Sequence, residues 1–330
     1  MEERARFPDV AARAGHYESF YLKACRPDGG VGVWIRHTVH KRPGAEPAGS
    51  VWFTLFDRSA DGPRAAKLTL PAGTGLSVPN GSWIRVGDAE IGPGEAEGSL
   101  DTGALSAAWS LTFDGNREAA KYLPVDWLYE APLPRTKFVA PLPDARFEGR
   151  LEIDDTSIEI AGWPGMIGHN WGSEHAERWL WIEGTGFADA PGTYFDAGAA
   201  RVRLGSRVSP WIPSGMLVLD GVRHRLGGLG GIGSSRIEEA PTVCSFLLHG
   251  DGIAVHGRVA APQKDFVGWV YADPKGPDHH TVNCSVADLE LTVERPGLPP
   301  RELTLAAAGA YELGMRETDH GIPIQPYPDG

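Results

Sequence analysis

The chain has 330 residues, 42% hydrophobic and 22% charged, with 31 basic against 43 acidic side chains and a net charge of −12. This excludes a disordered composition and argues against nucleic-acid binding, which needs a basic patch to neutralise phosphates. Three scattered cysteines (Cys25, Cys244, Cys284), no apolar leader and no run near ~18 apolar residues predict a chain of the reducing cytoplasm, without a disulfide framework, structural zinc site, signal peptide or transmembrane helix.

Residues 2–15 read as one or two helical turns. From residue 16 the hydrophobic period becomes two, the signature of strands. Residues 16–23 and 31–40 flank a Pro-Asp-Gly-Gly turn and read as a hairpin. Further strands are predicted at 51–57, 66–71, 82–88 and 106–113, with a short helical piece near 117–123. The prolines at 124, 132, 134, 141 and 143 read as a linker or an edge segment crossing a barrel mouth. Strands resume at 146–153 and 157–161. Beyond residue 178 they are expected at 178–187, 193–204, 215–220, 222–226, 243–249, 252–260, 265–272, 280–294 and 302–313. The glycine-rich run 227–233 lacks the context of a dinucleotide fingerprint and reads as a flexible loop. Each half thus carries about eight or nine strands, enough to close a small antiparallel barrel, and the expected fold is all-β, two barrels in tandem.

The segment 162–181 holds four of the eleven tryptophans together with His169, Glu174 and His175. Strand alternation sorts the neighbouring faces. Glu18 shares a face with His16, Phe20 and Leu22, and His37 shares one with Ile35 and Val39. Glu18 is either paired, with His37 or an arginine, or a ligand contact. Trp179 and Trp181 lie on one face, Leu180 and Ile182 on the other, so this strand is covered on both sides, as at an interface between barrels. Tyr194 and Asp196 share a face in a β-run where aspartate is out of place. Asp196 is either a solvent-face residue, a strand-end turn former or a functional acid.

Four chemistries fit such groups. A metal site would draw on His169, His175 and Glu174, with His279 and His280, but no standard zinc spacing is present. Nucleophilic hydrolysis lacks a GxSxG elbow. Acid catalysis in a dry, aromatic-lined cavity would use Asp196. An aromatic-lined mouth also suits binding without chemistry.

Gly168-His169-Asn170-Trp171-Gly172, then Arg178-Trp179-Leu180-Trp181 and Tyr194-Phe195-Asp196, resemble the tandem lipocalin-like superfamily, which includes carotenoid 1,2-hydratases (hydroxyneurosporene synthases) and, more distantly, tocopherol cyclases. The likeness is strongest over 145–205. It implies two lipocalin-like (calycin) barrels, 1–175 and 176–330, with a cavity near their junction. It implies Asp196 as the acid, assisted by Tyr194, His169 and Trp171. Trp179, Trp181, Glu18 and His37 are then the expected ligand contacts. The ligand would be a hydrophobic small molecule, isoprenoid or polyene-like, and no cofactor or metal is expected. At Gly168 the chain departs from the hydratase motif, which carries an acid there.

Overall fold

The computed structural model describes residues 3–115, 118–250 and 252–325. The first sheet is built from residues 16–172. Its spatial order runs Arg64–Thr69, Ala48–Asp57, Val31–Lys41, His16–Cys25, Thr156–Gly172, Thr136–Ile153, Ser106–Gly115, Glu95–Asp101, Ala89–Gly92, Ile84–Val86, Leu76–Ser77. The first strand of the half therefore pairs with its last, and the sheet curls into an open half-barrel. The second sheet closes. Val222–Gly227, Ile212–Leu219, Tyr194–Arg201, Arg178–Thr185, Arg301–Met315, His279–Glu294, Ile253–Ala260 and Val243–Gly250 follow one another, and a Leu226–Gly250 pairing joins the ends. All named ladders are antiparallel, and the fold is two tandem lipocalin-like barrels.

Local sequence explains most of the strands, and two departures are informative. The proline-rich segment is not a linker throughout. Pro141 and Pro143 lie inside the 18-residue strand Thr136–Ile153. The ladder to Thr156–Gly172 shifts register between Val139 and Leu142 and again between Leu142 and Ala145. Proline lacks a ladder N–H, so it is tolerated where bulges interrupt the pairing. The short helix expected near 117–123 is also not seen. Ala120–Lys121 is a strand paired on Thr136–Ile153, and residues 116–117 lie outside the described residues. Near the N-terminus only one turn, Phe7–Asp9, is helical, and it is 3-10.

One core fills the first barrel, around Phe20, Leu22, Ile35, Phe53, Trp109 and Phe147. The other runs from the interior of the second barrel out to the junction, where Tyr21, Trp34, Trp52 and Tyr122 join it. No helix among the described residues is long and apolar enough to cross a membrane.

Candidate functional site

The strand His16–Cys25 is buried at all ten positions, so both of its faces are covered. Glu18, Phe20 and Leu22 turn into the first barrel, and by alternation Tyr17, Ser19, Tyr21 and Lys23 face the second. Lys23 meets Glu183 of Arg178–Thr185 at 2.7 Å, both side chains being fully buried. On that strand Trp179 and Trp181 share the outward face with Glu183. The two faces enclose a cavity of about 270 Å³ lined by Tyr17, Tyr21, Tyr122, Trp179, Trp181 and Tyr271, among others. This is just below the ~300–1,000 Å³ of typical small-molecule sites. Two larger concavities, about 750 and 660 Å³, are open grooves walled largely by charged residues such as Arg85, Glu95, Arg236 and Glu290.

Two glycines shape the cavity wall. A Cβ at Gly168 would stand 2.2 Å from Cζ of Tyr21, and one at Gly314 would stand 2.1 Å from Cε2 of Trp179. Each glycine lets an aromatic ring lie flat on the neighbouring strand. Residue 168, where the hydratase motif carries an acid, is therefore occupied by the space Tyr21 needs.

Asp196 is fully buried one side chain behind this wall. Its Oδ1 accepts a hydrogen bond from Trp181 Nε1 at 2.9 Å. Neither Oδ2 nor the Tyr122 hydroxyl completes a bond of good geometry, although the two groups are close enough for each to shift the other's titration. Burial raises the Asp196 carboxyl to about 7; Glu183 adds to the rise, while Tyr122, Trp181 and Lys23 oppose it. Near neutral pH it holds its proton much of the time, beside aromatic faces able to stabilise a cation.

Another part of the cavity wall is polar. Arg36 lines it, is 4% exposed, and sits 4.2 Å from the ring centroid of Tyr271, 5.3 Å from Trp52 and 5.7 Å from Trp34. Glu312 accepts from Trp179 Nε1 at 2.9 Å, the Tyr271 hydroxyl at 3.0 Å and Asn283 Nδ2 at 3.3 Å. Beside them, His175, Asp273 and His279 each place one ligand atom within 4.8 Å of the others. Two imidazoles and a carboxylate are a donor set for a first-row divalent ion. His175 Nδ1 is 3.6 Å from Asp273 Oδ2, and neither His279 ring nitrogen completes a hydrogen bond. Burial lowers both imidazoles, His279 to about 3. Burial acts to raise the Asp273 carboxyl, but bonds from His175 and from the Lys275 and Gly276 amides outweigh it and hold it low. Of the metal-ligand candidates read from the sequence, only His175 and His279 meet here. Glu174 pairs with Arg135 and His280 with His320.

His169, Trp171, Glu18 and His37 lie away from the cavity wall. His169 Nε2 meets Glu18 at 2.8 Å, and its Nδ1 meets Glu3. The ring stacks on Phe20 at 3.9 Å and on Trp171 at 4.4 Å. Glu18 also meets His16 at 3.3 Å and accepts the Arg6 and Phe7 amides at 2.7 Å each. Burial acts to raise Glu18, but its bonds to His16 and His169 prevail and leave it at about 2. Burial would lower His169, yet Glu3 and Glu18 raise it. Trp171 carries Arg6 over its ring at 5.0 Å. This network ties the N-terminal segment to the first barrel. His37 is fully buried, without a hydrogen bond at either nitrogen, and burial lowers it to about 3. Tyr194 shares a face with Asp196, but its hydroxyl has no hydrogen-bond partner. The structure thus joins Asp196 to Trp181, while Trp179 on the same face bonds Glu312, and His169, Trp171 and Tyr194 make no hydrogen bond to Asp196. Tyr21, Arg36, Tyr271 and Glu312 went unread, because they come from distant strands whose register no local pattern reports, and Tyr122, just after Ala120–Lys121, reads in the sequence as part of a short helical piece.

The half-barrel, the closed barrel and the cavity between them define a tandem lipocalin-like protein. No family model matches the chain. In sequence it is similar to the uncharacterized protein Rv0493c of Mycobacterium tuberculosis, 26% identical over 343 residues, covering 95% of this chain and 91% of that one. In structure it is similar to CghA solved with Sch210972, with a TM-score of 0.55 and 12% identity over 92% of this chain and 89% of that one. It is similar also to a Nitrosomonas europaea protein provisionally assigned as AttH, with a TM-score of 0.51 and 12% identity over 94% and 96%. The third such structure is kievitone hydratase of Nectria haematococca, with a TM-score of 0.50 and 9% identity over 91% and 88%. At these identities the likeness shows the fold.

Proposed function

We propose that the protein binds an apolar, isoprenoid- or polyene-like small molecule at the junction of its two barrels and hydrates or cyclises it by acid catalysis, with Asp196 as the proton source. The observation that carries this reading is a fully buried carboxyl with a pKa raised to about 7, bonded to a tryptophan of an aromatic-lined cavity. Protonating a carbon–carbon double bond needs an acid kept neutral and dry, which burial supplies.

Tyr122 lines the cavity in front of Asp196. Its hydroxyl passes its proton to the double bond and takes the Asp196 proton in the same step. The resulting carbocation faces the rings of Trp179, Trp181 and Tyr21. Water adds to it, or a second double bond of the ligand closes a ring. The proton then released returns to the Asp196 carboxylate, so the cycle balances. At about 270 Å³, with a water occupying ~30 Å³, the cavity takes one ring or a short branched chain at a time. His169 and Trp171 act at a distance in this reading, by fixing the segment 3–9 and the strand that carries Gly168. A hydratase on the same architecture, kievitone hydratase, supports this choice.

The experiment is turnover and binding of a panel of isoprenoid and polyene compounds by the wild type and Asp196→Asn. The variant should bind with unchanged affinity and lose turnover by about 10²-fold or more. Intact turnover in the variant removes Asp196 as the acid. Binding without turnover by the wild type leaves a non-catalytic carrier of hydrophobic ligands.

A further inference from the structure

The cavity wall carries three charged groups whose partners decide what the ligand must bring. Glu312 is satisfied by three neutral donors, Trp179, Tyr271 and Asn283. Lys137 donates to the Pro134 carbonyl at 2.7 Å. Arg36 differs. Among the described residues it makes no hydrogen bond or ion pair, and its Nε is buried without an acceptor. Its surroundings are the faces of Trp34, Trp52 and Tyr271, which attract a cation but accept none of its N–H bonds in the plane of the fork. Lys67 sits 4.0 Å over the same Trp52 ring, but burial and the Arg36 charge lower its pKa to about 6, so near neutral pH it is mostly uncharged and the standing charge is that of Arg36. The acids near this region are Glu312 and Asp273, both engaged by other donors, and Asp278, which acts on Lys67. A guanidinium this deeply buried with no carboxylate in direct contact is costly, and a planar bidentate anion is the group that matches it.

We infer that the ligand of the junction cavity is a carboxylic acid, with its apolar body against Trp179, Trp181 and Tyr21 and its carboxylate on the Arg36 guanidinium. A single negative charge fits better than a phosphate dianion. Glu312 hydrogen-bonds the hydroxyl of the same Tyr271 whose ring face carries Arg36, and it would repel the second charge. The inference rests on the junction cavity being the ligand site and adds which end of the ligand is charged. With the carboxylate at Arg36, the rest of the molecule extends along the cavity toward Tyr122 and Asp196.

Geranic acid, its methyl ester and geraniol share one branched apolar body and differ only in the head. Titration calorimetry at neutral pH against the wild type, Arg36→Gln and Arg36→Lys separates the head from the body. The wild type should bind the acid at least about tenfold tighter than the ester or the alcohol. Arg36→Gln should lose that preference while binding the ester within about threefold of the wild type. Arg36→Lys should keep part of the preference, as a point charge without the fork. Equal binding of acid, ester and alcohol by the wild type overturns the inference and leaves the apolar pocket standing. Binding of none of the three overturns both. Circular dichroism checks the fold of the variants, and the wild-type comparison decides the question even if neither variant folds.

Discussion

Asp196→Asn should make the protein more stable at alkaline pH. The carboxyl moves from 3.8 to about 7 on folding, chiefly through burial. A group whose folded pKa is raised stabilises the fold in full below its unfolded value, and that contribution is lost as pH rises through the folded value. The wild type therefore loses stability between about pH 4 and pH 7 on account of this one group. At ~1.36 kcal/mol per unit, a shift of roughly three units is worth about 4 kcal/mol as a ceiling. The asparagine carbonyl still accepts the Trp181 Nε1 bond, and its amide can donate toward Tyr122, so the exchange removes the ionisation with little other change. Urea denaturation of both proteins at a series of pH values measures it. The stability difference, variant minus wild type, should grow by about 2–4 kcal/mol from pH 4 to pH 8. A difference that does not change with pH, or a variant less stable at pH 8, refutes a neutral buried carboxyl. Gain of stability together with loss of turnover is the pattern expected of a catalytic group held in an unfavourable place.

Other outcomes follow from the same geometry. Lys23→Met strands Glu183 in the junction and should cost about 3–5 kcal/mol in denaturation, whereas Lys23→Met with Glu183→Leu should recover most of it; equal losses would show that the pair is not the clamp. Glu18→Gln should lower stability by about 3 kcal/mol at neutral pH. Glu18 has its pKa depressed to about 2, so this contribution is present above about 4.5 and lost as pH falls toward 2, and melting of the wild type and variant should converge there. Tyr122→Phe should reduce turnover while leaving ligand affinity nearly unchanged; unchanged turnover would take Tyr122 out of the proton path.

The sequence showed the architecture through its period of two and its turn residues, and it missed elements where that signal fails. Glu95–Asp101 (Glu-Ala-Glu-Gly-Ser-Leu-Asp) has low strand propensity, yet it pairs with Ser106–Gly115 along its whole length. Pro141 and Pro143 mask a strand because bulges free their positions from the ladder. Asp196 stood out as an acid in a β-run, and Trp179 and Trp181 stood out on a strand apolar on both faces. What they touch was not legible. Whether His169 faces Asp196 or Glu18 depends on the His169–Phe20 register, set by partners about 150 residues away. Arg36 and Tyr271 look like ordinary strand residues, and Tyr122 like part of a short helical piece, until the two barrels are packed together.

The most direct test of the central claim is to run the reaction in heavy water. Isoprenoid and polyene acids incubated with the wild-type protein in D₂O and analysed by mass spectrometry should yield a hydrated or cyclised product carrying one carbon-bound deuterium, and Asp196→Asn should yield none. Recovery of every bound compound unchanged and free of carbon-bound deuterium would contradict acid catalysis at this junction.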